Sequence, residues 1–505
     1  MALINSLMTW RMKQRFHQIE LFIRHPLDIQ KECLHSILYD AKDTEWGKKY
    51  SFNSIETIQD FQHRIPLQDY ESMKADIHRS MKGEQNIFWH STIKWFAKSS
   101  GTTNDKSKFI PVSVESLKDC HYKAGKDMLS IYCNQVEDTH IFTGKSFTTG
   151  GSNQIINDKN GFYQGDLSAI LIDNLPMWVH LFRAPEKEIA LMGNWEEKIK
   201  KMAESTVNEN ITSLSGVPSW SLVLFEYMIE KYKAKNMKEI WPNMELYMHG
   251  GIKFNPYQKR FKELLPDINY LEIYNASEGF FGIQFELGVS DFLLMLDYGI
   301  FYEFIPLEDY YENYKGKTLL LNEIEINKSY VVVITTNAGL WRYIIGDTIE
   351  FTSVKPFRFK ISGRTKFFIN AFGEELVLDN TEKALEILQK EKMSFEIAEY
   401  LVAPVYLNNQ QSGYHEWLIE FNEVPENIED FENELDEILK KLNSDYDAKR
   451  FNNLLLSNLK VKVLSKDSFY KWLKSKNKLG GQNKVPKLCN DRIIADQILK
   501  ISYDS

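Results

Sequence analysis

Three polar loops of this sequence carry residue types that suit nucleotide chemistry. The first is SSGTTNDKSK, from Ser99 to Lys108, directly after the apolar residues 95–97. Its hydroxyls, close backbone NH groups and lysine are what the oxygens of a nucleotide triphosphate require. It is not a Walker loop, because the pattern GxxxxGK is absent. A Ser/Thr-rich turn alone is weak support, so an ordinary polar turn stays open as the alternative.

The second loop is YNASEG, residues 274–279, again at the end of an apolar run. Glu278 beside Ser277 offers oxygen ligands for a hard cation such as Mg²⁺, and Tyr274 could lie against a flat base. A turn capped by the serine and the glutamate explains the same residues equally well. By itself this loop therefore leaves a metal site and a structural turn both open.

The third loop is TTNAGLWRYIIGD, residues 335–347, which ends in a predicted strand with Asp347 after Gly346. A lone carboxylate can accept hydrogen bonds from two adjacent ribose hydroxyls, as acidic residues do in dinucleotide sites. The alternative for Asp347 is a surface turn without a ligand.

The elements that position these loops follow from the apolar spacing. The first ninety residues have helical spacing and few glycines, so we expect a helical opening that packs against a sheet. Short apolar runs that end in polar loops predict strands, which are KWFAKSSGTT, DLSAILI, MELYMHGG, YLEIYNASEG and KSYVVVITTNAG. Their alternation with amphipathic stretches predicts α/β layers, in which the loops beyond the strand ends form the ligand crevice.

A domain boundary is predicted at SGRTKFFINAFGEEL, residues 362–376, because charged helical segments follow it. We place the hinge near Thr365. The fold class is therefore α/β, with a large N-terminal domain over residues 1–364 that includes the helical opening, and a smaller α+β domain over residues 365–505.

Composition narrows the class of function. A net charge of −9 spread over 505 residues gives no basic surface for nucleic acid or anionic lipid, which favours small-molecule chemistry. Three basic residues interrupt the first sixteen, and no run of about 20 apolar residues follows, so we expect a cytoplasmic protein without membrane spans. The four cysteines have no CxxC spacing, and we expect free thiols.

The order of the motifs adds a resemblance. A Ser/Thr/Gly loop, Tyr-x-x-Ser-Glu, Arg-Tyr-x-x-Gly-Asp and then SGR before a hinge resembles the acyl-CoA synthetase, luciferase and adenylation-domain superfamily. Within it the chain is most similar to the GH3 family of acyl-acid amido synthetases, through SSGTT, SEG and RYxxGD. Three further stretches resemble that family: NWEEKI at 194–199, GVPSW at 216–220 and GGQNKVPKL at 480–488.

The resemblance implies site residues, position by position. Catalytic roles fall to Lys108, Glu278 and the mobile lysine, which matches Lys484. The predicted metal ligands are Glu278 and Thr103. Gly250 and Gly251 match the glycines whose backbone approaches adenine, and Asp347 matches the ribose-binding aspartate beside Arg364. The full ATP-binding set is Ser99, Ser100, Thr102, Thr103, Gly250, Gly251, Tyr274, Asn275, Ala276, Ser277, Asp347 and Arg364.

The activity that the resemblance implies uses ATP and Mg²⁺. A small carboxylic acid becomes its acyl-AMP with release of pyrophosphate, and an amine, expected to be an amino acid, then takes the acyl group and releases AMP. No nucleic acid or membrane partner is expected. Two alternatives stay open, an acyl-CoA ligase with the same first step and a catalytically silent nucleotide-binding protein.

Some residues depart from the pattern or carry two interpretations. Asn104 and Asp105 follow the second threonine of the first loop, where relatives have glycine, and Asp105 either points away or helps to hold metal. His180 and His249 lie in apolar runs, as core or pocket-wall residues do. Arg183 is a candidate for receiving a substrate carboxylate. Four aromatic residues either line the acyl pocket or belong to the core, namely Trp178, Phe182, Trp195 and Trp220.

Overall fold

A computed structural model describes most of the chain. The described residues are 2–99, 108–150, 156–157, 161–311, 317–365, 368–391, 394–406, 412–450, 453, 455–476 and 485–503. They divide into two compact units. The first contains the described residues up to 251 and those from 258 to 365, and the second contains residues 252–257 and the described residues after 365. The mobility of the smaller domain stays a prediction.

Helices open the chain, as the apolar spacing predicted. The α-helices up to residue 365 are α1 (Ala2–Arg24), α2 (Pro26–Ala41), α3 (Glu45–Lys49), α4 (Ile58–Arg64), α5 (Tyr70–Met81), α6 (Tyr122–Gln135), α7 (Leu167–Asp173), α8 (Lys187–Ala190), α9 (Trp195–Thr206), α10 (Pro218–Tyr232), α11 (Met237–Ile240), α12 (Asn255–Leu264) and α13 (Leu307–Tyr311). Thr57 and Asp69 cap α4 and α5, because their side-chain oxygens accept hydrogen bonds from the backbone NH groups of Asp60 and Ser72.

Strands carry the polar loops. The strands up to residue 365 are β1 (Trp95–Ser99), β2 (Lys108–Val112), β3 (Lys145–Thr148), β4 (Ile156–Asn157), β5 (Tyr163–Gly165), β6 (Arg183–Ala184), β7 (Ile211–Gly216), β8 (Leu246–His249), β9 (Asn269–Ala276), β10 (Gly279–Gln284), β11 (Phe292–Leu294), β12 (Ile300–Pro306), β13 (Ser329–Thr336), β14 (Tyr343–Val354) and β15 (Phe357–Arg364). The strands predicted from the first, third, fourth and fifth segments are confirmed as β1, β8, β9 and β13.

One predicted strand is wrong. DLSAILI forms helix α7, because Asp166 caps it by accepting a hydrogen bond from the Ser168 backbone NH at 2.7 Å. A short apolar run has no periodicity that separates a buried strand from a buried helix, so only the capping residue signals the difference.

The described strands of the first unit form two sheets. The larger has the order β12-β13-β14-β15-β11-β10-β9-β8-β7-β3-β6, parallel from β9 to β6 and antiparallel from β12 to β9. The smaller has the order β2-β1-β5-β4. The carboxyl ends of the parallel strands meet at one edge, where a crevice is expected in α/β sheets. The α/β class predicted for this part is confirmed.

The second unit is a small α+β body. Its elements after residue 365 are β16 (Phe368–Ile369), β17 (Leu376–Val377), α14 (Leu378–Glu391), β18 (Glu396–Val405), β19 (Tyr414–Glu423), α15 (Ile428–Leu442), α16 (Ser444–Arg450), β20 (Lys460–Val463), α17 (Ser468–Ser475) and α18 (Ile493–Tyr503). Strands β18, β19 and β20 form one sheet, and α14, α15 and the buried Trp417 of β19 contribute to one hydrophobic core. The predicted α+β class of the smaller domain is confirmed.

Two composition-based expectations can be compared with the described residues. Cys33, Cys120, Cys133 and Cys489 are free thiols, as expected. Among the described helices, none has the length and apolar character needed to cross a membrane.

Candidate active site

The turn between β9 and β10 places Glu278. The two strands form an antiparallel hairpin in which Ala276 pairs with Gly279, so Ser277 and Glu278 are its two-residue turn. A Cβ atom on Gly279 would lie 2.7 Å from Ile300 Cδ1, so the Ile300 side chain would have to move to admit it. The pairing of a partly buried strand with a buried one therefore places the glutamate at the tip of the hairpin.

Glu278 carries a carboxylate whose charge is opposed by its surroundings. Removal from water raises its pKa, and the negative charge of Asp347 acts in the same direction. The positive charges of Lys108 and Arg364 act in the opposite direction. Residues from the first loop, the second loop, the third loop and the SGR segment thus influence one another's charges, which places four separate motifs around one site.

Asp347 lies inside β14 and is buried, which excludes the surface turn as its explanation. Arg364 is its register partner in β15 and donates a hydrogen bond from Nε to Oδ1 at 2.5 Å. The Tyr274 hydroxyl donates to the other oxygen, Oδ2, also at 2.5 Å. Gly346, just before it, has φ of +90°, and its carbonyl accepts a hydrogen bond from the Thr365 NH at 2.8 Å.

The Asp347 carboxylate keeps acceptor capacity for a ligand. Each of its oxygens accepts one hydrogen bond in this network, and a carboxylate oxygen can accept two. Burial and the neighbouring aspartate raise the pKa of Tyr274 well above its ordinary range, so its hydroxyl remains a donor. The Tyr274 ring packs against Phe281 with centroids 5.1 Å apart. Its predicted place beside an adenine base stays a prediction.

The glycine pair after β8 lies at the carboxyl end of a parallel strand. A Cβ atom on Gly250 would lie 2.5 Å from the Ile273 carbonyl oxygen, so only glycine allows this approach to β9. Gly251 has φ of +84°, which glycine adopts without strain. The chain can therefore turn tightly beside the β9 strand, and its backbone lies at the edge where the crevice is expected.

Lys108 begins β2 and pairs with Ser99 in β1, so the first loop is closed at its base by two neighbouring strands. Lys108 Nζ lies 5.9 Å from the centre of the Tyr70 ring. The remaining predictions for this loop and the mobile lysine fall outside the described residues; they are Ser100, Thr102, Thr103, Asn104, Asp105 and Lys484. The same holds for the Ser99 side chain.

Arg342 is a residue of the RYxxGD motif to which the sequence assigned no role. It is 5% exposed and has φ of +43°. Its guanidinium donates to both carboxylate oxygens of buried Glu303 at 3.0 and 2.9 Å, to the Thr318 hydroxyl at 2.7 Å, and to the carbonyls of Gln62 and Ile65 at 2.6 and 2.7 Å. These contacts hold the start of β14 in an unusual backbone conformation.

Arg342 also ties the third loop to the helical opening. Its carbonyl accepts a hydrogen bond from the Gln68 NH at 3.0 Å, and the Gln68 carbonyl accepts one from the Ile344 NH at 2.8 Å. Between them, Tyr343 is fully buried, and its hydroxyl has no hydrogen-bond partner in the described part of the chain. The motif thus contains a structural arginine and an aspartate that faces the site. The only sequence signal for the structural role of Arg342 was an arginine flanked by apolar residues.

Burial decides between the two interpretations for several of the residues that the sequence left open. The rings of Trp195 and Trp220 are buried and stacked, with centroids 3.8 Å apart, as core residues are. Trp178 and Phe182 are 61% and 49% exposed, so they do not belong to the core. His249 is buried, and burial lowers its pKa to about 3. A neutral imidazole in such a place fits the core or pocket-wall interpretation.

The donor set can be tested against Mg²⁺ and a nucleotide. Among the described residues, no three His, Cys, Asp or Glu side chains cluster to hold a metal by themselves. Mg²⁺ is commonly bound by one or two carboxylates together with substrate phosphates, so the carboxylate of Glu278 fits that pattern. The spare acceptor capacity of Asp347 fits a ribose. The residues present are compatible with both groups.

Family models match three consecutive parts of the chain. Residues 15–270 match the GH3 family N-terminal domain, residues 293–364 its central domain and residues 379–493 its C-terminal domain. The chain is 23% identical over 437 residues to the indole-3-acetic acid-amido synthetase GH3.4 of Arabidopsis thaliana, covering 73% of this chain and 72% of that protein. It is 22% identical to the jasmonoyl-L-amino acid synthetase JAR4 of Nicotiana attenuata, covering 66% and 68%.

Solved structures share the fold. The AtGH3.15 acyl acid amido synthetase in complex with 2,4-DB superposes with a TM-score of 0.63 at 16% identity, covering 97% of this chain and 96% of that one. A 2-hydroxyisobutyryl-CoA ligase in complex with 2-HIB-AMP and CoA superposes with a TM-score of 0.55 at 11% identity, covering 95% and 92%.

Proposed function

This chain belongs to the GH3 family, and we propose that it is an ATP-dependent acyl-acid amido synthetase. It activates a small carboxylic acid as an acyl-adenylate and transfers the acyl group to an amine, for which we propose an amino acid. The observation that carries the proposal is the charge cluster of Lys108, Glu278, Asp347 and Arg364, drawn from motifs far apart in sequence.

The first half-reaction needs charge neutralisation more than covalent help. A carboxylate oxygen attacks the α-phosphorus of ATP, and the bond to pyrophosphate breaks. Lys108 offsets negative charge on the phosphates, and Asp347 fixes the ribose by accepting its hydroxyl protons in hydrogen bonds. Arg364 and Tyr274 hold that aspartate in place. Bound Mg²⁺, held by Glu278, would supply a Lewis acid for the leaving pyrophosphate.

The second half-reaction forms the amide. The nitrogen lone pair of the amine attacks the acyl carbon, the mixed anhydride bond breaks, AMP leaves and the amine loses a proton. Relatives with this chemistry in their names support an amino acid as acceptor. The fold alone relates the chain to a CoA ligase, and the fold does not decide the acceptor.

Three finer elements of the proposal rest on sequence alone. They are the phosphate contacts of Ser99, Ser100, Thr102 and Thr103, the swing of Lys484 into the adenylation site, and the division into domains at residue 364. A hinge near Thr365 would let the smaller domain reset the site between steps. A cytoplasmic location likewise stays a prediction.

One experiment tests the proposal. The protein is incubated with ATP, Mg²⁺ and a panel of carboxylic acids, and pyrophosphate release is followed; amino acids or CoA are then added, and the product is identified by mass. We expect acid-dependent pyrophosphate release and an amide product. A thioester with CoA in place of an amide would assign the chain to the alternative ligase, and no pyrophosphate with any acid would leave the silent nucleotide-binding alternative.

A matched pair of variants ties the activity to the proposed site. Glu278→Gln removes the charge at the turn, whereas Glu286→Gln removes a carboxylate on the surface that pairs with Arg358. We expect the first to lose pyrophosphate release and the second to retain it. Equal activities would show that the turnover comes from another site or a contaminant.

A further inference from the structure

Arg183 is a buried cation without a described counter-charge. The side chain is 8% exposed, and neither terminal nitrogen of its guanidinium has a hydrogen-bond partner among the described residues. Burial alone lowers its pKa, to about 10, with no carboxylate acting on it, and it remains charged at neutral pH. An unpaired buried charge is strongly destabilising, so a folded chain that retains one points to a partner that is not part of the protein.

The face of the sheet around Arg183 is lined with hydroxyls. Arg183 in β6 is in register with Ser146 in β3, and Ser146 is in register with Ser213 in β7. Two residues further along the same strands, Thr148 is in register with Ser215. Because side chains alternate along a strand, all five lie on one face of three neighbouring strands.

The opposite face of these strands has the apolar character expected of a parallel sheet. Phe147 and Leu214, which alternate with the hydroxyl residues, are fully buried, and the Phe147 ring lies 5.3 Å from that of Trp241. The hydroxyl face departs from this pattern. In the described part of the chain its four hydroxyls make no hydrogen bond, and Ser146, Thr148 and Ser215 are only half-buried, so solvent reaches this face.

We propose that Arg183 and the hydroxyl face bind a substrate carboxylate that does not react. A guanidinium donates two parallel hydrogen bonds to a carboxylate, and serine and threonine hydroxyls can donate to its remaining lone pairs. Strands lie about 4.8 Å apart, so the guanidinium and the hydroxyls span an area about the size of one amino-acid backbone. This inference rests on the proposed function and deepens it.

Two substrates could supply such a carboxylate. Every amino-acid acceptor has one, and it remains intact while the amine reacts. A dicarboxylic acyl substrate would also leave one carboxylate unreacted. The acceptor is favoured, because an amino acid always carries this group whereas the first half-reaction needs only one carboxyl group.

The test compares substrates with and without the carboxylate. In the acceptor arm, chemically prepared acyl-adenylate reacts with each of the twenty L-amino acids or with its carboxamide, which keeps the amine and lacks the charge. In the acid arm, pyrophosphate release is measured with monocarboxylic and dicarboxylic acids of matched chain length. Both arms use the full chain, Arg183→Met, Arg183→Lys and the control Arg260→Met, which removes a surface arginine paired with Glu226.

We expect the parent and Arg260→Met to prefer the amino acid over its carboxamide by about 10- to 100-fold in kcat/KM, the size of lost hydrogen bonds to a charged group. Arg183→Met should lose this preference through KM, and Arg183→Lys should restore part of it. Loss of preference only in the acid arm would assign the site to a dicarboxylic acyl substrate. Unchanged preferences in both arms would overturn the proposal.

A binding measurement keeps the inference separate from the proposed activity. The melting temperature is recorded with each L-amino acid, its carboxamide and a series of aliphatic dicarboxylates. A rise with a carboxylate ligand in the parent, absent in Arg183→Met, supports the site even if no amide forms. Arg183→Met should itself fold and melt no lower than the parent, because it replaces an unpaired charge with an apolar side chain. No ligand-dependent rise in the parent would contradict the site.

Discussion

Two groups of charged residues in the first unit differ in how completely protein hydrogen bonds satisfy them. Around Arg342, the guanidinium, the Glu303 carboxylate and the Thr318 hydroxyl form hydrogen bonds with one another. Backbone carbonyls accept hydrogen bonds from the remaining NH groups of the guanidinium. At the candidate site and at Arg183, charges keep unused hydrogen-bonding capacity. We name the first group the closed network and the second the open charges.

The difference separates scaffold from function within a single motif. A fully satisfied buried network stabilises one backbone arrangement, and leaving it incomplete is costly. A charge with spare capacity costs stability unless a ligand completes it. Arg342 and Asp347 stand five residues apart in RYxxGD, yet they belong to opposite groups. Substitutions in the closed network should therefore lower stability, while substitutions of Glu278 and Arg183 should lower activity and leave stability equal or higher.

The largest effect is expected in the closed network. Arg342→Met leaves the Glu303 carboxylate buried without its cation, which should lower the free energy of unfolding by about 3–5 kcal/mol. The urea midpoint followed by tryptophan fluorescence measures this loss. The double variant Arg342→Met with Glu303→Met should recover much of it, since no unpaired charge remains. An Arg342→Met variant as stable as the parent would remove the basis of the comparison.

Glu278→Gln should lower acid-dependent pyrophosphate release by about 10²–10³-fold, the effect of losing one group that stabilises developing charge. The stability of this variant at neutral pH should rise, although its activity falls. Because the folded-state pKa is raised, the parent loses stability as the pH rises through that pKa, and glutamine mimics the protonated form. The variant should therefore melt higher than the parent at neutral pH, and the gap should close below the ordinary pKa of glutamate.

The melting curves at several pH values check this prediction without substrate. If the variant melted lower than the parent at neutral pH, Glu278 would stabilise the fold, as the residues of the closed network do. Full turnover at ordinary Mg²⁺ concentrations would reject its role in the site.

Asp347→Ala should weaken ATP more than the acid, because ribose belongs to the nucleotide alone. The lost hydrogen bonds to a charged acceptor correspond to about 1.5–3 kcal/mol, seen as a rise in the KM for ATP with little change in the KM for the acid. Initial rates over both substrates measure the two constants. An equal rise in both KM values would indicate that Asp347 supports the fold around Tyr274 and Arg364 and does not bind the ribose.

The smallest expected difference in stability is between variants that each remove one hydroxyl. Thr318→Val removes a hydroxyl that donates to Glu303 and accepts from Arg342, and should cost about 1–2 kcal/mol of stability. Ser213→Ala removes the hydroxyl of a buried serine for which the described residues show no hydrogen bond, and should change stability by less than about 0.5 kcal/mol. Equal losses in both urea midpoints would mean that the hydroxyl face has a structural role.

Much of the candidate site was predictable from sequence because its residues lie within or next to recognisable strands. Glu278 follows the apolar run that becomes β9, and Asp347 follows the glycine within β14. Strand and loop are local signals, and the order of the three loops identified the family. Local signals also explain the error at α7, where Asp166 outweighed the apolar run.

The closed network could not be predicted, since its partners are far apart in sequence. Glu303 and Arg342 read as an isolated glutamate and an isolated arginine among apolar residues, and only the pairing of β12, β13 and β14 brings them together. For the same reason the sequence marked Arg183 as a candidate but could not show which residues surround it. Its neighbours Ser146 and Ser213 lie on other strands, and their common face follows only from the register.

The central claim is that the charges of the candidate site, Lys108, Glu278, Asp347 and Arg364, assemble an adenylation site, and isotope exchange tests it most directly. The protein is incubated with ATP, Mg²⁺, an accepted carboxylic acid and labelled pyrophosphate, without any amine, and label in ATP is measured. Reversible formation of an acyl-adenylate predicts label in ATP that requires the acid and is lost in Glu278→Gln. Formation of ADP and phosphate, or exchange only when an amine is present, would contradict the claim.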